Sequence, residues 1–255
     1  MKKHIINQSF FDLINNEQSA YMLGLLFADG AVNIKNYNIC LCLAEKDKDI
    51  LTKFASLMFA NVDDTDISTY KSKQKPFNNY CRVNVNSKYM INKLINLGCT
   101  PRKSMTLRFP EQLKEENILR HFIRGYFDGD GSIIQKTRAL TITSTLQFCT
   151  KTSEIINKYA AIEPKIYKYK NVYRLTVHGR NKAIKILDWL YRDATIYLRR
   201  KNEIYKNIKA ESSKYFSKED VVMFSYFYNS GFTYKKIADL YGCSDSGIRR
   251  AINRS

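Results

Sequence analysis

Two aspartates close two copies of one pattern. Tyr21-Met-Leu-Gly-Leu-Leu-Phe-Ala-Asp29-Gly30 and Phe122-Ile-Arg-Gly-Tyr-Phe-Asp-Gly-Asp130-Gly131 run largely apolar for two helical turns, hold a glycine in mid-run and stop at Asp-Gly. A carboxylate at a helix C-terminus faces the negative end of the macrodipole and is locally unfavourable. Gly24 and Gly125 carry no Cβ, so each helix offers a face that another backbone can approach closely. Small Ala28 and Gly129 extend that face. Two such helices crossing would bring Asp29 and Asp130 together, where they repel unless a cation lies between them. Mg²⁺ accepts this kind of site, a few carboxylates completed by water and phosphate. One copy alone would read as a buried helix with a C-cap glycine; two copies, with acids 101 positions apart, favour a site.

The paired stretches resemble the two motifs of the LAGLIDADG homing endonucleases, in the single-chain form that carries both halves. The likeness extends from about Asn16 to Ala210 and is closer in the second motif. In the first, Met22-Leu23 stands for the family's Leu-Ala, and Phe27 stands where an acid is common. The resemblance implies an α+β fold of two pseudo-symmetric αββαββα halves, whose two antiparallel sheets form a saddle over DNA. It implies Asp29 and Asp130 as catalytic metal ligands, with the backbone carbonyls of Ala28 and Gly129 completing the protein's share. The ion would be Mg²⁺, or Mn²⁺ or Ca²⁺ at the same sites. It further implies a lysine near each scissile phosphate, and Lys103 and Lys201 match that place, 74 and 71 residues after the acids. Each would steady developing negative charge or perturb the attacking water, a plain phosphate contact being the alternative. The activity implied is site-specific double-strand cleavage across the minor groove, leaving short 3′ overhangs, in service of intron, intein or gene mobility.

Composition supports a polyanionic partner. Lys+Arg number 42 against 24 Asp+Glu, a net charge of +18 with pI near 9.6, and nucleic acid is the commonest partner of such an excess. At 44% hydrophobic residues, disorder is not expected. The longest apolar run, Ala20 to Ala28, is too short to span a bilayer, and no membrane association is expected. The N-terminus lacks the apolar segment of a signal peptide. Six cysteines without Cys-x-x-Cys spacing suggest reduced thiols in an intracellular protein. The setting expected is cytoplasmic or nucleoid-associated, with an organelle or a phage-infected cell as alternatives. Met1 and the lack of protein-splicing ends argue against an intact intein.

The elements that must position the acids can be read in order. Asn15 or Asn16 caps the first motif helix. Asn38-Ile-Cys-Leu-Cys-Leu43 alternates, with Ile39, Leu41 and Leu43 inward and Asn38 outward. Asp47 opens a helix to Phe59, and a loop with Lys71, Lys73, Lys75, Asn78 and Asn79 follows. Arg82-Val-Asn-Val-Asn86 then presents Arg82, Asn84 and Asn86 on one face, side chains able to bond base edges bidentately. Ser87 to Leu97 is helical. The second half repeats the order with Ala139 to Thr143, a helix from Leu146 to Tyr159, strands at Lys165 to Tyr169 and Val172 to Val177, and a helix from Asn181 to Leu190. There Thr141, Thr143, Arg174, Thr176 and His178 are expected to face DNA. Glu45 is placed to order water near one site, where its counterpart Ser144 cannot. His121 reads as a structural residue at a helix start.

The halves are assigned to residues 1–110 and 111–210. Ala210 to Ser213 reads as a linker, and 217–255 as a separate three-helix unit. In it Ser217 and Asp220 form a capping box, Thr233 caps the second helix, Gly242 makes the turn and Ser244 caps the third helix. The pattern suggests a helix-turn-helix with Ser246, Arg249 and Arg250 on a recognition helix. The expected protein is thus a monomeric endonuclease of double-stranded DNA with a long asymmetric target. A non-cleaving, sequence-specific transcriptional regulator on the same scaffold, or an RNA-splicing maturase, remain alternatives.

Overall fold

In a computed structural model, which describes residues 5–62, 66–71, 79–134, 137–212, 216, 218–241 and 245–253, Asn16 accepts the Ser19 N–H. It thereby caps helix α1, Glu17–Asp29, and satisfies one of the N–H groups that every helix start leaves open. The chain passes directly into β1 (Gly30–Asn33), then β2 (Asn38–Ala44), α2 (Lys48–Met58), β3 (Ser68–Tyr70), β4 (Tyr80–Asn86) and α3 (Lys88–Asn96). The order recurs as α4 (Glu116–Asp130), β5 (Gly131–Ile134), β6 (Ala139–Ser144), α5 (Leu146–Ala160), β7 (Lys165–Tyr169), β8 (Val172–Val177) and α6 (Arg180–Tyr191).

The two antiparallel sheets run β1-β2-β4-β3 and β5-β6-β8-β7. Their registers repeat too. Cys42 stands opposite Arg82 and Thr143 opposite Arg174, and Cys42 and Thr143 are separated by the same 101 positions as the two acids. Alternation puts Ile39, Leu41, Val83 and Val85 of one sheet, and Leu140, Ile142, Leu175 and Val177 of the other, into the interior. One apolar core runs through both halves, from Phe11 to Leu198.

The opposite sheet faces hold the polar rows. Asn84, Asn86 and His178 are exposed, while Asn38, Arg82, Thr143 and Arg174 are half-buried. Thr141 and Thr176 depart from expectation, with only 8% and 6% of their surface accessible. They face each other across β6 and β8, with Ser132 and Lys165 on either side. Short side chains in the middle of a four-strand row are enclosed by neighbours on both sides, so alternation alone overstates their exposure. β3 is only three residues long, too short for alternation to announce it. Lys73, Lys75 and Asn78 lie outside the described residues.

By internal contacts the chain divides into units 1–206 and 207–255. Helix α7 spans Arg199–Ser212, so Ala210 to Ser212, expected as linker, are helical. The second unit contains α8 (Lys218–Asn229), α9 (Tyr234–Tyr241) and α10 (Asp245–Ile252), packed around Phe224, Ile237, Ala238 and Ile248. Thr233 Oγ1 accepts the Lys236 N–H at 3.3 Å, capping α9. Ser246, Arg249 and Arg250 are exposed on α10. Ser217, Gly242 and Ser244 lie outside the described residues. Among the described residues no helix is long and apolar enough to cross a membrane.

Candidate functional site

The site is made by the crossing of α1 and α4. A Cβ on Gly24 would stand 2.0 Å from the Phe122 carbonyl oxygen, and one on Gly125 would stand 2.1 Å from that of Tyr21. Phe122 follows Tyr21 by the same 101 positions, so the two contacts are reciprocal and mark a pseudo-twofold axis. Around it Tyr21, Leu25, Leu26, Phe27, Phe122, Ile123, Tyr126 and Phe127 are all buried, and the Phe27 and Phe122 rings meet edge to face at 5.1 Å. Each such side chain stabilises the crossing by about 1.5–3 kcal/mol.

At the far end of the crossing, the Cβ that Gly129 lacks would lie 2.4 Å from Ala28 Cβ and 2.8 Å from Asp29 Oδ2. The structure therefore brings Asp29 and Asp130 together. Burial, and then the charge of Asp130, push the Asp29 carboxyl up to about 6, against the pull of Lys201, Lys103 and Arg200. Burial also raises Asp130, opposed first by a hydrogen bond from the Tyr126 hydroxyl. Leu25 occupies the position of Tyr126 in the first half, so the two acids are held differently.

Lys103 and Lys201 are buried at 8% and 3% accessibility. Their ammonium groups cap the C-termini of the two motif helices. Lys103 Nζ donates to the Gly30 carbonyl, and Lys201 Nζ donates to those of Phe127, Asp128 and Gly131, the last two at 2.6 Å. A cation there satisfies helix-end carbonyls and offsets the macrodipole. Burial pulls Lys201 down to about 8, against Asp128, Asp29 and Asp130. None of its bonds goes to the Gly129 carbonyl.

The other polar groups here hold the halves together. Asp128 is fully buried and accepts from the Tyr21 hydroxyl at 2.8 Å, the Tyr191 hydroxyl at 2.7 Å and the Leu198 N–H at 2.8 Å. Arg124, also fully buried, donates to the carbonyls of Ile196 and Leu190 and pairs with Glu17 at 2.5 Å. Glu17 in turn accepts from the Thr195 hydroxyl and the N–H groups of Thr195 and Ile196. His121 is not at a helix start; it lies inside α4, 2.7 Å from Arg124, and burial with that positive neighbour pulls it down to about 4. The register also corrects the counterpart of Glu45. Ser144 faces Tyr173 as Leu43 faces Cys81, so Ser144 corresponds to Leu43. It is buried and bonded to the Tyr126 hydroxyl, whereas Glu45 accepts from Asn79 at 2.8 Å.

Among the described residues no three Cys, His, Asp or Glu side chains cluster as a metal site. A hard cation needs no such cluster. Two mutually repelling carboxylates at helix ends, beside a cradle that any Cβ on Gly129 would fill, form an all-oxygen donor set that suits Mg²⁺ with water and phosphate as its remaining ligands.

A family model described as a LAGLIDADG-like domain matches residues 117–188, from α4 into α6. A solved structure of the N-terminal LAGLIDADG domain of DUF199/WhiA superposes with a TM-score of 0.50 at 14% identity, covering 80% of this chain and 98% of that one. That likeness establishes the LAGLIDADG fold for both halves. Full-length DUF199/WhiA from Thermatoga maritima aligns over 99% of this chain and 96% of its own at 13% identity and TM-score 0.48. The LAGLIDADG meganuclease I-AabMI, solved with uncleaved DNA, aligns at 12% identity and TM-score 0.48 over 78% and 91%. Among curated proteins, the replication factor C small subunit of Methanocaldococcus jannaschii is 29% identical over 129 residues, 51% of this chain. A probable translation initiation factor IF-2 of the same organism is 25% identical over 159 residues, 61% of this chain. The chain spans only 7% and 13% of those two proteins.

Spacing alone did not reveal Tyr126, Glu17 or the clasp on Asp128, because the contacts that define them join residues 63 or more positions apart or depend on strand register. The one available signal was Arg124, a charged residue in the middle of an apolar run.

Proposed function

We propose that this chain is a site-specific endonuclease of double-stranded DNA. One monomer supplies both acids, the halves 1–110 and 111–210 read the two sides of a long asymmetric target, and residues 217–255 add a helix-turn-helix contact. The observation that carries the proposal is the convergence of Asp29 and Asp130 where α1 and α4 cross, beneath two sheets with polar outer rows, in a chain of net charge +18.

Asp29 and Asp130, with the carbonyls of Ala28 and Gly129, are the groups that would hold divalent metal. Bound there, metal would activate water and neutralise charge at phosphorus and on the leaving oxygen. The chain's own residues prepare that site. Close helix packing fixes the two acids at one point, and the Tyr126 hydroxyl beside Asp130 favours its ionised form. Lys103 and Lys201 satisfy the helix-end carbonyls, and their positive charge favours the ionised form of both acids. Arg82, Asn84, Asn86, Asn38, Thr143, Arg174 and His178 supply the base-facing row, while Thr141 and Thr176, buried in the middle of it, contribute little.

The test is cleavage of a plasmid library with Mg²⁺. Asp29→Asn and Asp130→Asn should each abolish double-strand cutting while duplex binding persists, and full activity in either variant would refute the assignment. Specific binding without cutting by the wild type would instead make the chain a non-cleaving regulator.

A further inference from the structure

The two sheets share a feature that neither the acids nor the core require. Arg82 lies over the Tyr70 ring, 4.5 Å from its centre, and Arg174 lies over the Tyr169 ring at 3.7 Å. The pairs occupy equivalent places. Arg82 faces Cys42 and Arg174 faces Thr143 across the inner strands. On the outer strands, Tyr70 stands two residues beyond the partner of Arg82, and Tyr169 two residues beyond the partner of Arg174. The tyrosines come from β3 and β7, so 12 residues separate one pair and 5 the other.

These two arginines also differ from others in the same unit. Arg124, Arg192, Arg199 and Arg200 each pair with a carboxylate. Arg82 and Arg174 have no carboxylate or carbonyl partner among the described residues, and in both the Nε is buried without a hydrogen bond. Each guanidinium thus lies over a ring, with Nε enclosed and its two terminal nitrogens without a carboxylate or carbonyl partner among the described residues. An arginine kept only for surface charge has no need of a tyrosine platform, and its appearance twice at one register position points to a task performed once per half.

Taking duplex binding by these sheets as proposed above, we infer that Arg82 and Arg174 each read a guanine, at equivalent positions of the two half-sites. Guanine O6 and N7 are adjacent acceptors that match a guanidinium fork, whereas adenine and cytosine each present an amino donor to it. Stacking removes rotamer freedom before binding, so little further order is lost on contact. Both arginines lie on inner strands, where side chains face base edges, rather than at a sheet edge, where phosphates would run. The pseudo-twofold relation puts the two guanines on opposite strands. An otherwise asymmetric target should therefore carry G in one half and C in the other, read along one strand, at equal distances from its centre.

The experiment is selection from a random duplex library by the full chain in EDTA, followed by affinity measurements across a salt series on the selected duplex and its single-base variants. The wild type should select the symmetric G and C, and replacing either guanine should weaken binding about tenfold to a hundredfold. Arg82→Ala should abolish the preference at one of these positions only, and Arg174→Ala at the other. Arg82→Lys should also lose the preference while keeping the salt dependence, because the charge remains but the fork is gone. Tyr70→Leu should weaken discrimination in the same half. If Arg82→Ala lowers the salt slope by about one and leaves base preference intact, the arginine is a phosphate contact and the inference fails, while the DNA-binding proposal stands. A consensus without the paired guanines has the same consequence. A wild type that selects no duplex removes both.

Discussion

Asp29→Asn should stabilise the metal-free protein. The Asp29 carboxyl ordinarily titrates at 3.8 and is pushed to about 6 by burial and by Asp130. A carboxyl whose folded value lies above its unfolded value favours folding fully below 3.8, and that contribution is lost as pH rises towards 6. At pH 7.5 the wild type therefore folds with an ionised Asp29 that its surroundings resist. At about 1.36 kcal/mol per pH unit, relieving that resistance is worth up to about 3 kcal/mol, less whatever solvent already screens at this partly accessible side chain. For a chain of this size that corresponds to a rise in Tm of about 5–10 °C. The assay is thermal unfolding of both proteins in EDTA at pH 7.5 and pH 4.5. The variant's advantage should be large at the higher pH and should shrink at the lower, where the folded wild type already carries the proton. Adding Mg²⁺ at pH 7.5 should raise the wild-type Tm by linkage and leave the variant nearly unmoved. A variant less stable than wild type in EDTA at pH 7.5, or an advantage independent of pH, would show that Asp29 is not held against its ionised form.

Gly125→Ala places a methyl 2.1 Å from the Tyr21 carbonyl oxygen, a backbone atom that cannot swing away; the helices must separate, at a cost of about 3 kcal/mol or more, and an unchanged urea midpoint would contradict this. Lys201→Met removes one donor from each of three carbonyls, of which Phe127 keeps the Gly131 N–H, and should cost about 1.5–3 kcal/mol in chemical denaturation; no loss would mean that the helix end is satisfied otherwise. Arg124→Met leaves Glu17 without its buried partner and should cost about 3–5 kcal/mol, whereas a neutral result would make the clasp dispensable. Removing residues after Ser213 should weaken DNA binding and flatten its salt dependence; equal affinity and slope in the truncated and full chains would exclude a DNA contact from the C-terminal unit.

What could be read from the sequence was what local spacing controls. The repeat of glycine and terminal aspartate located both helices, and alternation in Asn38 to Leu43 and Arg82 to Asn86 assigned the right faces, because periods of 3.6 and 2 are imposed by backbone geometry within a few residues. The missing parts depend on partners far along the chain. Nothing near Tyr126 announces that its hydroxyl will reach the Thr143 carbonyl and the Ser144 hydroxyl, since that geometry depends on β6 lying beside α4. The shading of Thr141 and Thr176 likewise depends on the width of the sheet rather than on either strand.

The duplication itself separates two kinds of constraint. Where the halves touch each other their backbones are equivalent, Gly24 and Gly125 each lying against the opposite carbonyl. Their side chains diverge, at the crossing and beyond it. Leu25 replaces Tyr126, Cys42 replaces Thr143, and Lys201 takes three carbonyls where Lys103 takes one. Backbone symmetry at the axis puts two acids at one point, and under the proposed function the differences between the sheets would let each meet a different half of one duplex. Arg82–Tyr70 and Arg174–Tyr169 stand against this divergence, being repeated in register. Neither pair belongs to the glycine contact between the halves, and the symmetric guanines inferred above would account for the repetition.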